Sequence, residues 1–219
     1  MKYKNIKRDH LLEYYEDLLQ NQKCTLFLSG RYNSDVVDAL NQYFGQWDYN
    51  VINGTTYEFE EPTIGNFNYT SSNNLQSALR LGRHFGSRKH EDYANLSFLS
   101  NLFGGFFGSR LMQNIREEKA YTYNIFSDID SMLHDGYFYI STELAPEYLD
   151  KTIHEIKIEM EDLCENIVSE EELSMNKNYI LGNILNSIDG PFQAIQLIKS
   201  AVLSRRTEKE VQRTINQFV

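Results

Sequence analysis

The apolar residues of this chain repeat at helical spacing in some stretches and at every second position in others, and the two patterns alternate along its length. Leu11, Tyr15, Leu18 and Leu19 make one face of a first helix, for which Asp9 is a suitable N-cap. Residues 24–29 read as a short buried strand, and Val36, Val37, Leu40, Tyr43 and Phe44 as a helix stopped by Gly45. Residues 47–65, rich in Asn, Gly and Thr and containing Pro62, read as a connector. Strands follow at 67–70 and 75–81, then a helical stripe of Tyr93, Leu96, Leu99 and Phe103.

Further on, residues 137–144 alternate Phe138, Ile140, Thr142 and Leu144 against Tyr137, Tyr139, Ser141 and Glu143, the pattern of a strand with one buried face. Leu149, Ile153, Ile156, Met160, Leu163 and Ile167 form the clearest amphipathic helix, with Pro146 at its start. Ser169 with Glu172, and Thr207 with Glu210, have the spacing of capping boxes. Asp189, Gly190 and Pro191 break the helical run between them. Alternating strands and one-sided helices predict a sheet covered by helices, either α+β or α/β.

Between these patterns lies the most informative stretch, LFGGFFGSRLMQNIREEKAYTY. A glycine turn at Gly104 and Gly105 feeds, through Ser109, a short helix with Leu111, Met112 and Ile115 on one face, and a period-two strand begins at Tyr121. Arg116 and Tyr123 are thereby brought to the helix-to-strand turn. By residue type alone, Arg116 can equally cap the last helical carbonyls and Tyr123 can be an ordinary strand aromatic.

This stretch resembles the signature of the second, non-zinc domain of pitrilysin/insulinase-type metallopeptidases, the inverzincins. Segments 9–15, 25–30, 34–44, 75–82, 136–142, 146–163 and 169–182 resemble the other elements of that domain in order, so the likeness covers most of the chain. It implies an α+β fold, a largely antiparallel sheet with helices packed on one face, as in mitochondrial-processing-peptidase-like domains. It also implies that Arg116 and Tyr123 contact the backbone of a peptide substrate, with Gly104, Gly105 and Ser109 as the supporting turn. Two positions depart from the pattern: Ala120 stands where glycine is common, and Tyr121 where a small or aliphatic residue is common, which predicts a stiffer turn and a narrower groove.

Catalysis in such peptidases needs His-x-x-Glu-His on one helix, where two imidazoles one turn apart hold zinc and the Glu acts as general base. The chain contains no such motif. The nearest string, His10 to Tyr14, has a tyrosine at the second ligand position. His84, His90, His134 and His154 lack ligand spacing and are expected at the solvated surface, and Cys24 and Cys164 are too few for a zinc knuckle. No catalytic or metal-binding residue is therefore expected in this chain. The resemblance instead implies zinc in a partner domain carrying His-x-x-Glu-His, in cis or in trans.

The implied organisation is a single domain, 1–219, of a larger peptidase. Within it, 1–46 is a helix-strand-helix lead-in that can be the end of a preceding zinc domain, 47–65 a connector, and 66–219 the main body. A net charge of −10 argues against a nucleic-acid partner, and the one basic stretch, Arg80, Arg83, Arg88 and Lys89, is not interleaved with stacking aromatics. No apolar run approaches the ~20 residues of a membrane span, and the basic N-terminus is not followed by the apolar core of a signal peptide. Two cysteines suit either a reducing or an exporting compartment, so localisation stays open. The alternative function is a structural relative that keeps the fold for assembly, like the core proteins of the respiratory cytochrome bc complex. An autonomous hydrolase of another class has no nucleophile elbow or phosphate loop to support it.

Overall fold

A computed structural model describes residues 5–21, 24–46, 63–70, 75–88, 90–132, 134–207 and 209. The chain divides into two units, one of Met1–Glu61 with Gly190–Ile195, the other of Pro62–Asp189 with Gln196–Val219.

In the first unit, helix α1 spans Arg8–Asn21 and α2 spans Ser34–Phe44. α1 begins one residue before Asp9, which therefore contributes a negative charge to the first turn rather than a cap. The side chain of Asn33 caps α2 by accepting from the Val36 N–H at 3.3 Å. Gly30, at φ +117, makes the turn ahead of it, a conformation that favours glycine. Residues 24–29, expected as a strand, are irregular, because no neighbouring strand among the described residues offers them a ladder. The Ser29 hydroxyl donates to the Pro191 carbonyl at 2.5 Å. The expected apolar face of α1 exists but is not buried: Leu11, Tyr15 and Leu18 are all exposed.

The second unit is built on an antiparallel sheet of β1 (Ser77–Phe85), β2 (Thr122–Ser131) and β3 (Gly136–Leu144), in the order β1-β3-β2. Ile140 of the central strand pairs with Leu81 on one side and Ser127 on the other. Helices cover one side of the sheet, so the architecture is the α+β arrangement that the resemblance implied. They are α3 (Tyr93–Ser100), continued by a π-helical turn at Asn101–Gly105, a second π-helical segment at Met112–Glu118, α4 (Leu149–Glu165) and α5 (Glu170–Ser187). A 3-10 turn at Pro146–Tyr148 precedes α4; α6 (Pro191–Leu203), whose start belongs to the first unit, begins after Gly190, whose φ of +98 breaks the helical run as expected. The core is Phe103, Leu111, Met112, Ile115, Ile125, Ile140 and Ile156.

Several expectations shift in detail. Residues 67–70 form no strand, and the strand expected at 75–81 runs instead over Ser77–Phe85. Ser141, assigned to the outer face of β3, is 2% exposed because it lies in register between the larger Arg80 and Phe126. Leu99 is exposed while Leu102 and Phe103 are buried, since the π-helical turn after Ser100 changes which side of the helix faces the sheet. Ile167 lies beyond the end of α4 and is fully exposed. Ser169 does cap α5, accepting from the Glu172 N–H at 3.2 Å, but the Glu172 side chain is engaged elsewhere. Glu210 of the other expected capping box, and Lys89 of the basic stretch, lie outside the described residues.

Candidate functional site

The segment from Gly104 to Tyr123 is placed by backbone contact with β2 at one end and by a strand irregularity at the other. Gly104 has φ −154, so it is not there for a left-handed turn. A Cβ at this position would meet the Ser127 backbone nitrogen at 2.5 Å, and one at Gly105 would collide with the side chain of Asn101. Gly104 thus permits close approach of the turn to β2, and Gly105 leaves room for the Asn101 side chain. The approach is sealed by the Ser127 hydroxyl, which donates to the Ser100 carbonyl at 2.7 Å. Ser109 is 1% exposed; its N–H donates to the Phe106 carbonyl at 3.0 Å, and its carbonyl accepts from Gln113 N–H at 2.9 Å, which starts the helix.

From Ser109 the chain buries Leu111, Met112 and Ile115 on the face predicted for them. Arg110 projects the other way and donates to both Glu172 oxygens, at 2.6 and 3.0 Å, and to Asp162 at 2.5 Å. The Asn166 amide and this guanidinium hold the Asp162 carboxyl below its ordinary value. At the far end, Lys119 Nζ donates to Glu155 at 2.8 Å and to Asn114 Oδ1 at 2.8 Å, pinning the last turn to α4. Hydrogen bonding from Lys119 lowers the Glu155 pKa, with Asn114 adding to the effect.

The turn into β2 passes through Ala120 at φ +52, in the left-handed region. That conformation explains why a glycine is the usual residue at this point of the resembling pattern. Tyr121 then stacks on Tyr148, ring centroids 4.9 Å apart.

β2 carries a register shift between Thr122, opposite Leu144, and Ile125, opposite Thr142. Two residues, Tyr123 and Asn124, thus face a single residue of β3, which is a β-bulge. The bulge reverses the parity of the strand: Ile125 and Ile129 are buried, yet Tyr123, at the same parity, is 89% exposed. It is held by the Thr142 hydroxyl, which donates to the Asn124 carbonyl at 2.8 Å, and by the Thr122 hydroxyl, which donates to the Glu143 carbonyl at 2.7 Å.

Arg116 meets this bulge. Its Nε donates to the Tyr123 carbonyl at 2.7 Å, its Nη1 to Glu117 at 2.6 Å, and its guanidinium carbon sits 4.9 Å from the centroid of the Phe107 ring. The two residues singled out from the sequence are therefore adjacent and accessible, although the link runs through the main chain of Tyr123 and not its phenol. Among the described residues the Tyr123 hydroxyl has no hydrogen-bond partner, so it is available to donate outward. A cavity of about 240 Å³ opens beside Gly104 and Gly105, and Ser97, Asn101 and Ser127 line it as well; Arg116 and Tyr123 do not.

Among the described residues no group of His, Cys, Asp or Glu side chains is arranged to hold a metal ion. His84, expected at the solvated surface, is exposed and pairs there with Asp135. The Gly136 N–H and this imidazole hold the Asp135 carboxyl below its usual range. Cys24 and Cys164 are free and exposed. Sequence reasoning missed Arg110, its carboxylate partners and the bulge; alternation alone puts Tyr123 on the same face as Ile125 and Ile129.

Residues 5–180 match the family model described as the peptidase M16 inactive domain. The uncharacterized zinc protease YmxG of Bacillus subtilis (strain 168) is 23% identical over 182 residues, which cover 83% of this chain and 44% of that protein. The probable inactive metalloprotease YmfF of the same organism is 23% identical over 187 residues, 84% of this chain and 43% of that protein. The chain thus spans less than half the length of these curated relatives. The crystal structure of a peptidase M16 inactive domain from Pseudomonas fluorescens superposes with a TM-score of 0.59 at 23% identity, covering 65% of this chain and 34% of that one. By the extent of the family match, together with the α+β architecture, this chain belongs to the peptidase M16 inactive domain family.

Proposed function

We propose that this chain is the non-catalytic, substrate-contacting domain of a zinc-dependent metalloendopeptidase, with zinc held by a His-x-x-Glu-His domain in cis or in trans. In this reading the main body, residues 66–219, presents the contacting surface, and the lead-in of 1–46 is the end of the preceding zinc-bearing domain. The observation that carries the proposal is the bulge at the head of β2. It turns Tyr123 outward and fixes Arg116 against the Tyr123 carbonyl, leaving donors of both side chains facing solvent. A guanidinium can grip peptide carbonyls, and a phenol can donate to a substrate carbonyl or to an oxyanion forming in the partner's active site.

The test restores the partner. With a zinc-bearing domain supplied, Tyr123→Phe is expected to reduce turnover by the equivalent of about 2 to 4 kcal/mol, the loss of one donor whose bond forms mainly in the transition state. Arg116→Ala is expected to act mostly on apparent substrate affinity. The chain alone is expected to retain no stoichiometric zinc after dialysis against chelator, as measured by elemental analysis. Unchanged kinetics in both variants, with the fold intact, would favour the second reading, an assembly scaffold. One observation supports that alternative: the similar protein YmfF carries the name of a probable inactive metalloprotease.

A further inference from the structure

We propose that Phe107 is the apolar half of the peptide-contacting site, a specificity-determining residue that receives a large apolar side chain from the peptide whose main chain Arg116 grips. The inference rests on the peptide-binding reading of Arg116.

Two neighbouring phenylalanines of the glycine turn are used in opposite ways. Phe106 stacks on Tyr179 of α5, centroids 4.7 Å apart and planes 21° from parallel. Phe107 points outward and is 58% exposed, while its carbonyl is tied down by the Gln113 side-chain amide at 2.9 Å. The backbone beneath the ring is thus anchored without the ring being buried, and the free energy of burying an aromatic side chain remains available to a ligand. A lone exposed Phe is unremarkable, but this one lies 4.9 Å from the Arg116 guanidinium carbon.

Arg116 sends Nε to the Tyr123 carbonyl and Nη1 to Glu117, so Nη2 is left without a partner among the described residues. A peptide carbonyl accepting from Nη2 brings the neighbouring side chain of an extended peptide, about 3.3 Å further along per residue, within reach of the ring. Glu117 also decides the chemistry of that side chain. Its carboxylate, 2.6 Å from Nη1, already balances the guanidinium charge, so an acidic side chain gains little there and an apolar one is favoured.

The experiment measures, by fluorescence anisotropy, binding of the full 219-residue chain to two short fluorescein-labelled Gly/Ser peptides, one with a central Phe and one with a central Ser. The Phe peptide is expected to bind about tenfold more tightly. Phe107→Ala should reduce that preference to about twofold with the Ser peptide unaffected, Phe107→Leu should retain an intermediate preference, and Arg116→Gln should weaken both peptides alike. Thermal unfolding of Phe107→Ala should match the native chain, because the ring is exposed and the carbonyl bond to Gln113 survives the change. A preference undiminished in Phe107→Ala overturns the assignment of Phe107 and leaves the Arg116 reading standing. Absence of binding by either peptide overturns the peptide-binding reading and this inference with it.

Discussion

Arg110 and Arg116 stand at the two ends of one helical segment, and the fold uses them oppositely. Arg110 is 15% exposed and bonds two carboxylates that arrive from α4 and α5, far away in sequence. Arg116 bonds a main-chain carbonyl and its own neighbour Glu117, and remains 32% exposed. The first is committed on all three nitrogens; the second keeps one unused. An arginine with every nitrogen engaged by the fold holds the fold together, whereas one with a nitrogen to spare can hold something else.

The largest effect expected from this contrast is on stability. Arg110→Ala leaves Glu172, 20% exposed, without its cation and severs the tie between the glycine turn, α4 and α5. A loss of about 2 to 3 kcal/mol is expected, at or below the roughly 3 to 5 kcal/mol for breaking a fully buried pair because Asp162 is partly solvated. Arg116→Ala and Tyr123→Phe should each cost less than about 1 kcal/mol, the range for exposed ion pairs and surface substitutions. Chemical denaturation of the three variants checks this, and equal destabilisation by Arg110→Ala and Arg116→Ala would erase the distinction.

Sequence reasoning reached one arginine and missed the other for a physical reason. Arg116 lies inside a local signature, and its partners, Tyr123, Glu117 and Phe107, all come from the same stretch of chain. The partners of Arg110 come from 52 and 62 residues away. The three-residue spacing of Ser169 and Glu172 predicts a full capping box, with the Glu172 side chain as its second half. Only half of that motif exists: the Ser169 hydroxyl accepts from the Glu172 N–H, while the Glu172 carboxylate leaves for Arg110. Local periodicity likewise found β3 and the start of α4, whose faces are set by the core, but overreached at residues 24–29 and at Ile167, where no packing partner enforces the pattern. A bulge is hard to read from a sequence because it is a mismatch between two strands, and only one strand is visible at a time.

The Arg116 end has its own anchor, the Lys119–Glu155 pair. Lys119 raises no question of charge at neutrality: hydrogen bonding to Glu155 raises its pKa, and the same bond lowers that of Glu155. Because the folded value of Glu155 is depressed, the pair stabilises the fold above about pH 4.3, the unfolded value, and this is lost as pH falls through the folded one. For Lys119 the sign is opposite. Its raised folded value gives stabilisation below about pH 10.4 that is lost as pH rises through it. Lys119→Met should therefore be destabilising near neutral pH, with the difference from the native chain shrinking as the carboxylate is titrated in acid. Denaturant unfolding at several pH values reads this directly, and a pH-independent difference would show that Lys119 acts through its aliphatic stem alone.

The smallest effect expected is a gain. Ala120 closes the Arg116 end at φ +52, where the Lys119 N–H returns to the Asn114 carbonyl and the Tyr121 N–H to the Ile115 carbonyl, both at 3.0 Å. A Cβ in that conformation crowds the following carbonyl, at a cost of roughly 1 to 2 kcal/mol. Glycine removes the crowding but adds freedom to the unfolded chain, which takes back up to about 1 kcal/mol. Ala120→Gly is thus expected to stabilise the fold by about 0.5 kcal/mol. The glycines at the Arg110 end have no positive φ and are there for clearance, so adding a Cβ at Gly104 should work in the opposite direction. Denaturation midpoints of Ala120→Gly and Gly104→Ala measured side by side would decide the matter: a loss of stability in both would mean that Ala120 is not strained, and that this turn is held by its hydrogen bonds without a steric penalty.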